Sequence, residues 1–195
     1  MIYNKFIINF LLQNKMIEKT ILTSQNLEFT NLTKKCNLEA YLSWLNDSEI
    51  TDYLEVRFNI PKNITELEDF IQSVNESNNS ILFGIFHKDL KIHIGNIKLT
   101  FNIEHKRAEI GLLIGDKSFW GNGYAAEAID LVSNYTFKKY NIDKISASCY
   151  EENIASAKSF LKVGFYEEAR LKNHWLKRGE RQDSIILSRL NHGNN

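Results

Sequence analysis

The sequence predicts an α+β or α/β domain built around one mixed β-sheet. Three observations carry that prediction. Apolar residues recur at helical spacing in the first third of the chain, and then the period changes to that of strands. Three strand-like runs follow one another through short turns, which indicates an antiparallel meander. Beyond the meander the order becomes helix, strand, helix and two closing strands, so a β-α-β step is added to the same sheet.

Taken in order, Leu27–Leu32 is a short strand. Asn37–Leu45 is a helix by its spacing of Leu38, Tyr41, Leu42 and Leu45, and Ser48–Leu54 adds a short turn. Pro61 marks a loop. Thr65 opens a second helix, with Thr65 and Glu68 as a capping box and Leu67, Phe70, Ile71 and Val74 as its apolar stripe. Asn75–Ser80 is polar loop. The meander is Ile81–His87, a turn at Lys88-Asp89, Ile92–Ile103 with Gly95 inside it, and Arg107–Gly115. Tyr124–Lys139 is the third helix. It places Ala125, Ala128, Ile129, Val132, Tyr135 and Thr136 on one face, and Glu127, Asp130, Asn134 and Lys138 on the other. Glu127 in its first turn and Lys138-Lys139 in its last suit the helix dipole. Lys144–Tyr150 is a strand, Asn153–Val163 a helix, and Gly164–Arg170 and Asp183–Leu190 close the sheet.

Composition bounds the function. The chain of 195 residues is 43% hydrophobic and 25% charged, which is ordinary for a globular protein. Lys+Arg and Asp+Glu balance at 24 each, which argues against a general nucleic-acid binder. The one basic run, Lys172–Arg181, reads as a solvated loop. Cys36 and Cys149 stand apart, in neither a C-x-x-C nor a His-rich context. They read as reduced structural thiols in a cytoplasmic protein without a metal centre. The apolar run Phe6–Leu12 is too short to span a membrane, is broken by Asn9 and is followed by no cleavage site. Residues 1–15 are therefore expected to be an extension outside the fold, with Met16 the better domain start and residues 16–195 a single domain.

The stretch Phe119–Ala128, FWGNGYAAEA, carries the chemistry. Glycines allow positive φ and expose consecutive N–H groups, and the helix behind adds its own unpaired N–H groups and dipole, so the loop suits a phosphate or diphosphate. Gly121-Asn122-Gly123-Tyr124-Ala125-Ala126 also fits the dinucleotide pattern G-x-G-x-x-G/A, with Glu151 as a ribose-binding acid. Against that reading, Asp116–Trp120 separates strand from glycine, a meander precedes the motif, and only one β-α-β unit is present. The plain alternative is a tight turn before a helix.

From Leu27 to Leu190 the sequence resembles the GNAT (Gcn5-related) N-acetyltransferase superfamily, especially the branch that includes ribosomal-protein-alanine acetyltransferases. The family's loop pattern Q/R-x-x-G-x-G/A falls on Trp120-Gly121-Asn122-Gly123-Tyr124-Ala125, with Trp120 departing from Gln/Arg. A second signature, N-x-x-S followed by K-x-G-F, falls on Asn153, Ser156 and Lys162-Val163-Gly164-Phe165. The resemblance implies an α+β, three-layer GNAT fold: a central, mostly antiparallel sheet, flanked by helices and splayed at the acetyl-CoA site. It implies acetyl-CoA as co-substrate, with no metal. Trp120, Gly121, Asn122, Gly123, Tyr124 and Ala125 would hold the diphosphate through the loop's N–H groups. The backbone of Leu112, Leu113 and Ile114 would pair with pantetheine, which Asn153 would also touch. Gly111 and Gly115 independently suggest a bulge or a close backbone approach on that strand.

Acetyl transfer to an amine needs a base for an ammonium with pKa of about 10, donors for the oxyanion, and an acid for a thiolate with pKa of about 8.5. Glu109 is the candidate base, with a solvated or salt-bridged strand residue as its plain alternative. Many family members use a tyrosine as the acid where this chain has Phe160. Ser156 fits the acid of the ribosomal branch, with helix capping as its alternative role. Tyr150 and His174 are reserves. Trp44, Tyr53, Arg57 and Phe58 could line the acceptor pocket or pack the core. The acceptor is expected to be a protein N-terminus or a small-molecule amine, amino sugars and sugar nucleotides included, and not nucleic acid or membrane. The rival from another class is a non-catalytic acyl-CoA-binding module. The closing strand is compatible with a monomer or a homodimer.

Overall fold

In the computed structural model, residues 21–33 and 36–191 are described, so the expected extension 1–15 lies outside the described residues. Eight strands form one sheet in the order β1-β2-β3-β4-β5-β6-β8-β7. They are β1 Leu22–Thr23, β2 Leu27–Asn31, β3 Ser80–His87, β4 Ile92–Asn102, β5 Arg107–Ile114, β6 Lys144–Tyr150, β7 Tyr166–Lys177 and β8 Glu180–Leu190. Every neighbouring pair is antiparallel except β5 and β6, so the sheet is mixed as the sequence predicts.

Helices cover both faces. On one lie α1 Leu38–Leu45, α2 Ser48–Thr51 and α3 Ile64–Glu76, where Tyr41, Trp44, Leu67 and Ile71 pack with Leu82 of β3. On the other, α4 Tyr124–Tyr140 and α5 Ile154–Leu161 bury Ala128, Ile129, Val132 and Phe160 against Ile97, Ile110, Ile145 and Leu187. Caps fix the helix starts. Asn37 Oδ1 accepts from Ala40 N–H at 3.0 Å. The cap of α3 is Asn63, two residues before the expected Thr65, and Glu66 reaches back past it to Lys62. Asn63 Oδ1 accepts from Glu66 N–H at 2.9 Å, and Glu66 Oε2 accepts from Lys62 N–H at 2.8 Å.

The closing strands are longer than expected. β7 and β8 form a hairpin turned at Arg178 (φ 51°) and Gly179 (φ 86°), the backbone of a two-residue primed turn. The basic run Lys172–Arg181 thus lies on this hairpin and not in a loop, and part of its charge is neutralised. Lys172 pairs with Asp183 at 2.6 Å, Lys177 with Glu152 at 2.8 Å, and Arg178 with Asp52 at 3.1 Å.

The feature that positions the site is the parallel pair. β5 and β6 pair only from Arg107↔Lys144 to Glu109↔Ser146. Beyond that point β5 stays with β4 as far as Gly95↔Ile114, while β6 stays with β8 as far as Tyr150↔Ser184. The sheet therefore opens, and the facing backbone groups of Ile110–Ile114 and Ala147–Tyr150 have no strand between them.

Candidate functional site

Residues 116–125 turn the chain from the open end of β5 into α4. Asp116 Oδ1 accepts from Ser118 N–H at 3.0 Å and fixes the first turn. Lys117 ties it to the start of α2 through Asp47 at 2.7 Å and Glu49 at 2.5 Å. Gly121 (φ 76°) and Gly123 (φ 84°) then take the left-handed conformation that other residues resist. Glu127 N–H bonds Gly123 C=O at 3.1 Å, while the N–H groups of Gly121–Ala125 meet no acceptor among the described residues. Those N–H groups and the dipole of a 17-residue helix make one positive rim.

The loop's side chains are occupied elsewhere. Trp120, 41% exposed, donates its indole N–H to Ile114 C=O at 2.8 Å. Asn122 Nδ2 donates to Trp120 C=O at 3.1 Å, and the Tyr124 hydroxyl lies 3.2 Å from His87 Nε2. The backbone N–H groups of Gly121–Ala125 remain free among the described residues to meet a ligand. Gly123 has a further neighbour: Lys162 Nζ lies 3.7 Å from the point where a Cβ on Gly123 would stand.

Along the opening, Leu112 and Ile114 pack against the α4 side, and Leu113 against the α1–α3 side. The Ile114 carbonyl is already engaged by Trp120. A Cβ on Gly115 would strike Trp44 at 2.0 Å, so Gly115 is a close approach, as expected, and Trp44 is a packing residue. Gly111 differs, because a Cβ there would meet nothing within 4 Å and the strand is open at that place.

Glu109 stands exposed where β5 and β6 part, opposite Thr100 and Ser146, and its carboxylate makes no hydrogen bond or ion pair among the described residues. Asn153 and Ser156 lie on the other margin, at the start of α5. Asn153 is the helix cap. Its Oδ1 accepts from Ser156 N–H at 3.1 Å, which leaves its amide NH₂ and the Ser156 hydroxyl without partners among the described residues. Phe160 is 3% exposed and packs edge-on to Phe165 at 5.0 Å, so it faces the core.

Tyr150, at the end of β6, joins a group that sequence spacing does not reveal. Arg57 donates to its hydroxyl, which in turn donates to Glu55 Oε1 at 3.4 Å. The Tyr53 ring lies 5.6 Å away, and Trp175 stacks on Tyr150 at 5.3 Å, within the range of favourable aromatic pairs. Burial raises the Tyr150 phenol above its ordinary pKa against the lowering pull of Arg57, so it stays protonated at neutral pH. Phe58 is exposed beneath the Arg57 guanidinium at 4.3 Å, a cation–π contact. His174 meets this group edge-on at the Trp175 ring, at 4.7 Å. Sequence spacing singles out neither Glu55 nor Trp175. Lys162 stands in the K-x-G-F signature, which marks its place but not its reach.

Among the described residues no helix is long and apolar enough to cross a membrane, and no group of three His, Cys, Asp or Glu side chains is arranged to hold a metal ion.

Comparison with known proteins agrees with this geometry. Residues 26–166 match the family described as acetyltransferase (GNAT) domain. The chain is 31% identical over 171 residues to the uncharacterized N-acetyltransferase YoaA of Bacillus subtilis (strain 168), covering 86% of this chain and 95% of that protein. Among solved structures, spermidine N-acetyltransferase from Vibrio cholerae, in complex with CoA and spermine, superposes with a TM-score of 0.76. It is 24% identical, with 86% of this chain and 96% of that chain covered. The ribosomal L7/L12 α-N-protein acetyltransferase RimL, in complex with coenzyme A, superposes with a TM-score of 0.78 at 17% identity, covering 88% and 98%.

Proposed function

Because the chain belongs to the GNAT acetyltransferase family, we propose that it moves an acetyl group from acetyl-CoA to a primary amine by direct attack within a ternary complex. The observation that carries this reading is the opening between β5 and β6, with the glycine loop at one end and Glu109 at the point where the two strands part. In this reading the N–H groups of Gly121–Ala125 hold the CoA diphosphate. Pantetheine lies along the free edge of β5 at Leu112–Ile114, and the Asn153 amide reaches it from α5.

Glu109 takes the proton that the acceptor ammonium must lose. The amine nitrogen then attacks the thioester carbon, and unpaired N–H groups of β5 face the oxygen as it gains charge. When the carbon–sulfur bond breaks, the Ser156 hydroxyl passes its proton to the departing sulfur and takes up the second proton that the newly bonded nitrogen sheds, so the amide and the thiol both leave neutral. The acceptor is a protein N-terminus or a small-molecule amine. RimL and the Vibrio cholerae enzyme, which share the fold, are named for one acceptor of each kind. A non-catalytic acyl-CoA-binding role is the second reading, favoured by the buried Phe160 at the position where many relatives carry a tyrosine acid.

Thiol release from acetyl-CoA against N-terminal peptides, amino sugars, aminoglycosides and polyamines tests both. Amine-dependent release with at least one class is expected. CoA binding without release across the panel would select the binding module, and no CoA binding would overturn both readings.

A further inference from the structure

We propose that Lys162 supplies the cationic contact to the CoA diphosphate, in place of the Gln/Arg position that Trp120 occupies in this chain; the inference rests on the function proposed above. A diphosphate carries two negative charges that backbone N–H groups alone meet with partial charges. Trp120 offers no formal charge, and its one donor is committed to Ile114 C=O at 2.8 Å. Asn122 and Tyr124 turn to Trp120 C=O and His87, so no side chain of residues 120–125 adds positive charge.

Lys162 approaches from the opposite side. It closes α5, and its backbone is fixed by the turn behind it. Val163 N–H bonds Phe160 C=O at 3.1 Å, Gly164 takes φ 85°, and Phe165 is buried against Phe160. From there Nζ reaches to 3.7 Å from the point where a Gly123 Cβ would stand. The Lys162 ammonium forms no ion pair or hydrogen bond among the described residues, whereas Lys117 and Lys177 are both held by carboxylates. A lysine at a helix C-terminus also favours the dipole, which is the purely structural alternative.

Calorimetric dissociation constants for CoA and 3′-dephospho-CoA, measured on the wild type, Lys162→Gln and Lys162→Arg, separate these roles. Lys162→Gln should weaken both ligands by roughly ten- to thirtyfold, the worth of one charge-assisted phosphate contact. Lys162→Arg should restore most of the affinity, and added salt should weaken the wild type more than the Gln variant. If the wild type binds CoA and Lys162→Gln binds it equally well, the proposal is overturned, whatever the variant does to thermal stability. Loss confined to CoA and absent for 3′-dephospho-CoA would overturn it too, by moving the lysine to the 3′-phosphate. A wild type that binds neither ligand would refute the proposed function instead.

Discussion

Glu109 stands where β5 and β6 part and Ser156 at the start of α5, and each has a plain structural role that can be separated from catalysis. The Glu109 carboxylate has no partner to lose among the described residues, so a change there costs the fold little. Glu109→Gln should lower kcat at least tenfold while leaving acetyl-CoA affinity near that of the wild type. Unchanged turnover in the variant across pH would exclude the assignment. Ser156 is relieved of capping because Asn153 does that work. Asn153→Ala should therefore destabilise the protein by about 1 kcal/mol, the usual cost of a lost cap, while Ser156→Ala leaves stability almost unchanged. If Ser156→Ala also leaves kcat unchanged, the acid lies elsewhere. Tyr150, kept protonated by burial and oriented by Arg57, is then the next group to replace with phenylalanine.

At the level of elements, the glycine loop is the part of the site most legible in sequence, because its conformation is written in the residues themselves. Gly123 takes φ 84° at the head of α4, where a β-branched side chain is strained. Gly123→Val should abolish CoA binding by calorimetry with far-UV circular dichroism unchanged, and retained binding would remove the loop from the site. The Asn153–Ser156 turn is readable for the same local reason. Other features are not. Thr65 and Glu68 have the right spacing for a capping box, yet Asn63 and Glu66 have it too, and nothing in a linear spacing ranks the two. Most of β7 escapes a sequence reading because its register with β8 slips between Leu171 and Trp175, and most of its residues are exposed. No clean alternation survives such a slip. The group around Tyr150 joins Glu55 and Arg57 to residues more than ninety positions away, a relation only the folded chain creates.

For the whole molecule, one carboxylate links the far edge of the sheet to the helix that carries the loop. From sequence, Glu127 only favours the dipole of α4. In the fold it also accepts from Ser24 Oγ and Asn26 N–H at 2.7 Å, and from Asn26 Nδ2 at 2.9 Å, so it anchors the β1–β2 turn to the first turn of α4. Burial alone would raise its pKa, but these hydrogen bonds outweigh it and hold the folded value below the usual glutamate range. A carboxylate with a depressed folded pKa contributes stability in full above its unfolded pKa, about 4.3, and loses it as the pH falls through the lower folded value. Glu127→Gln keeps the shape but gives up the charge and one acceptor oxygen, which should cost roughly 1–2 kcal/mol at pH 7. At about 2–4 °C per kcal/mol for a domain of this size, the difference is measurable by thermal unfolding. The gap between the two melting curves should stay constant from pH 7 down to about 5 and close below about 4, because acid removes from the wild type what the substitution has already taken. Curves that stay parallel to the acid limit would show that the cost of the substitution lies in the lost acceptor oxygen alone. The Glu127 charge, facing Ser24 and Asn26, would then contribute nothing to holding α4, and the loop it carries, against the sheet.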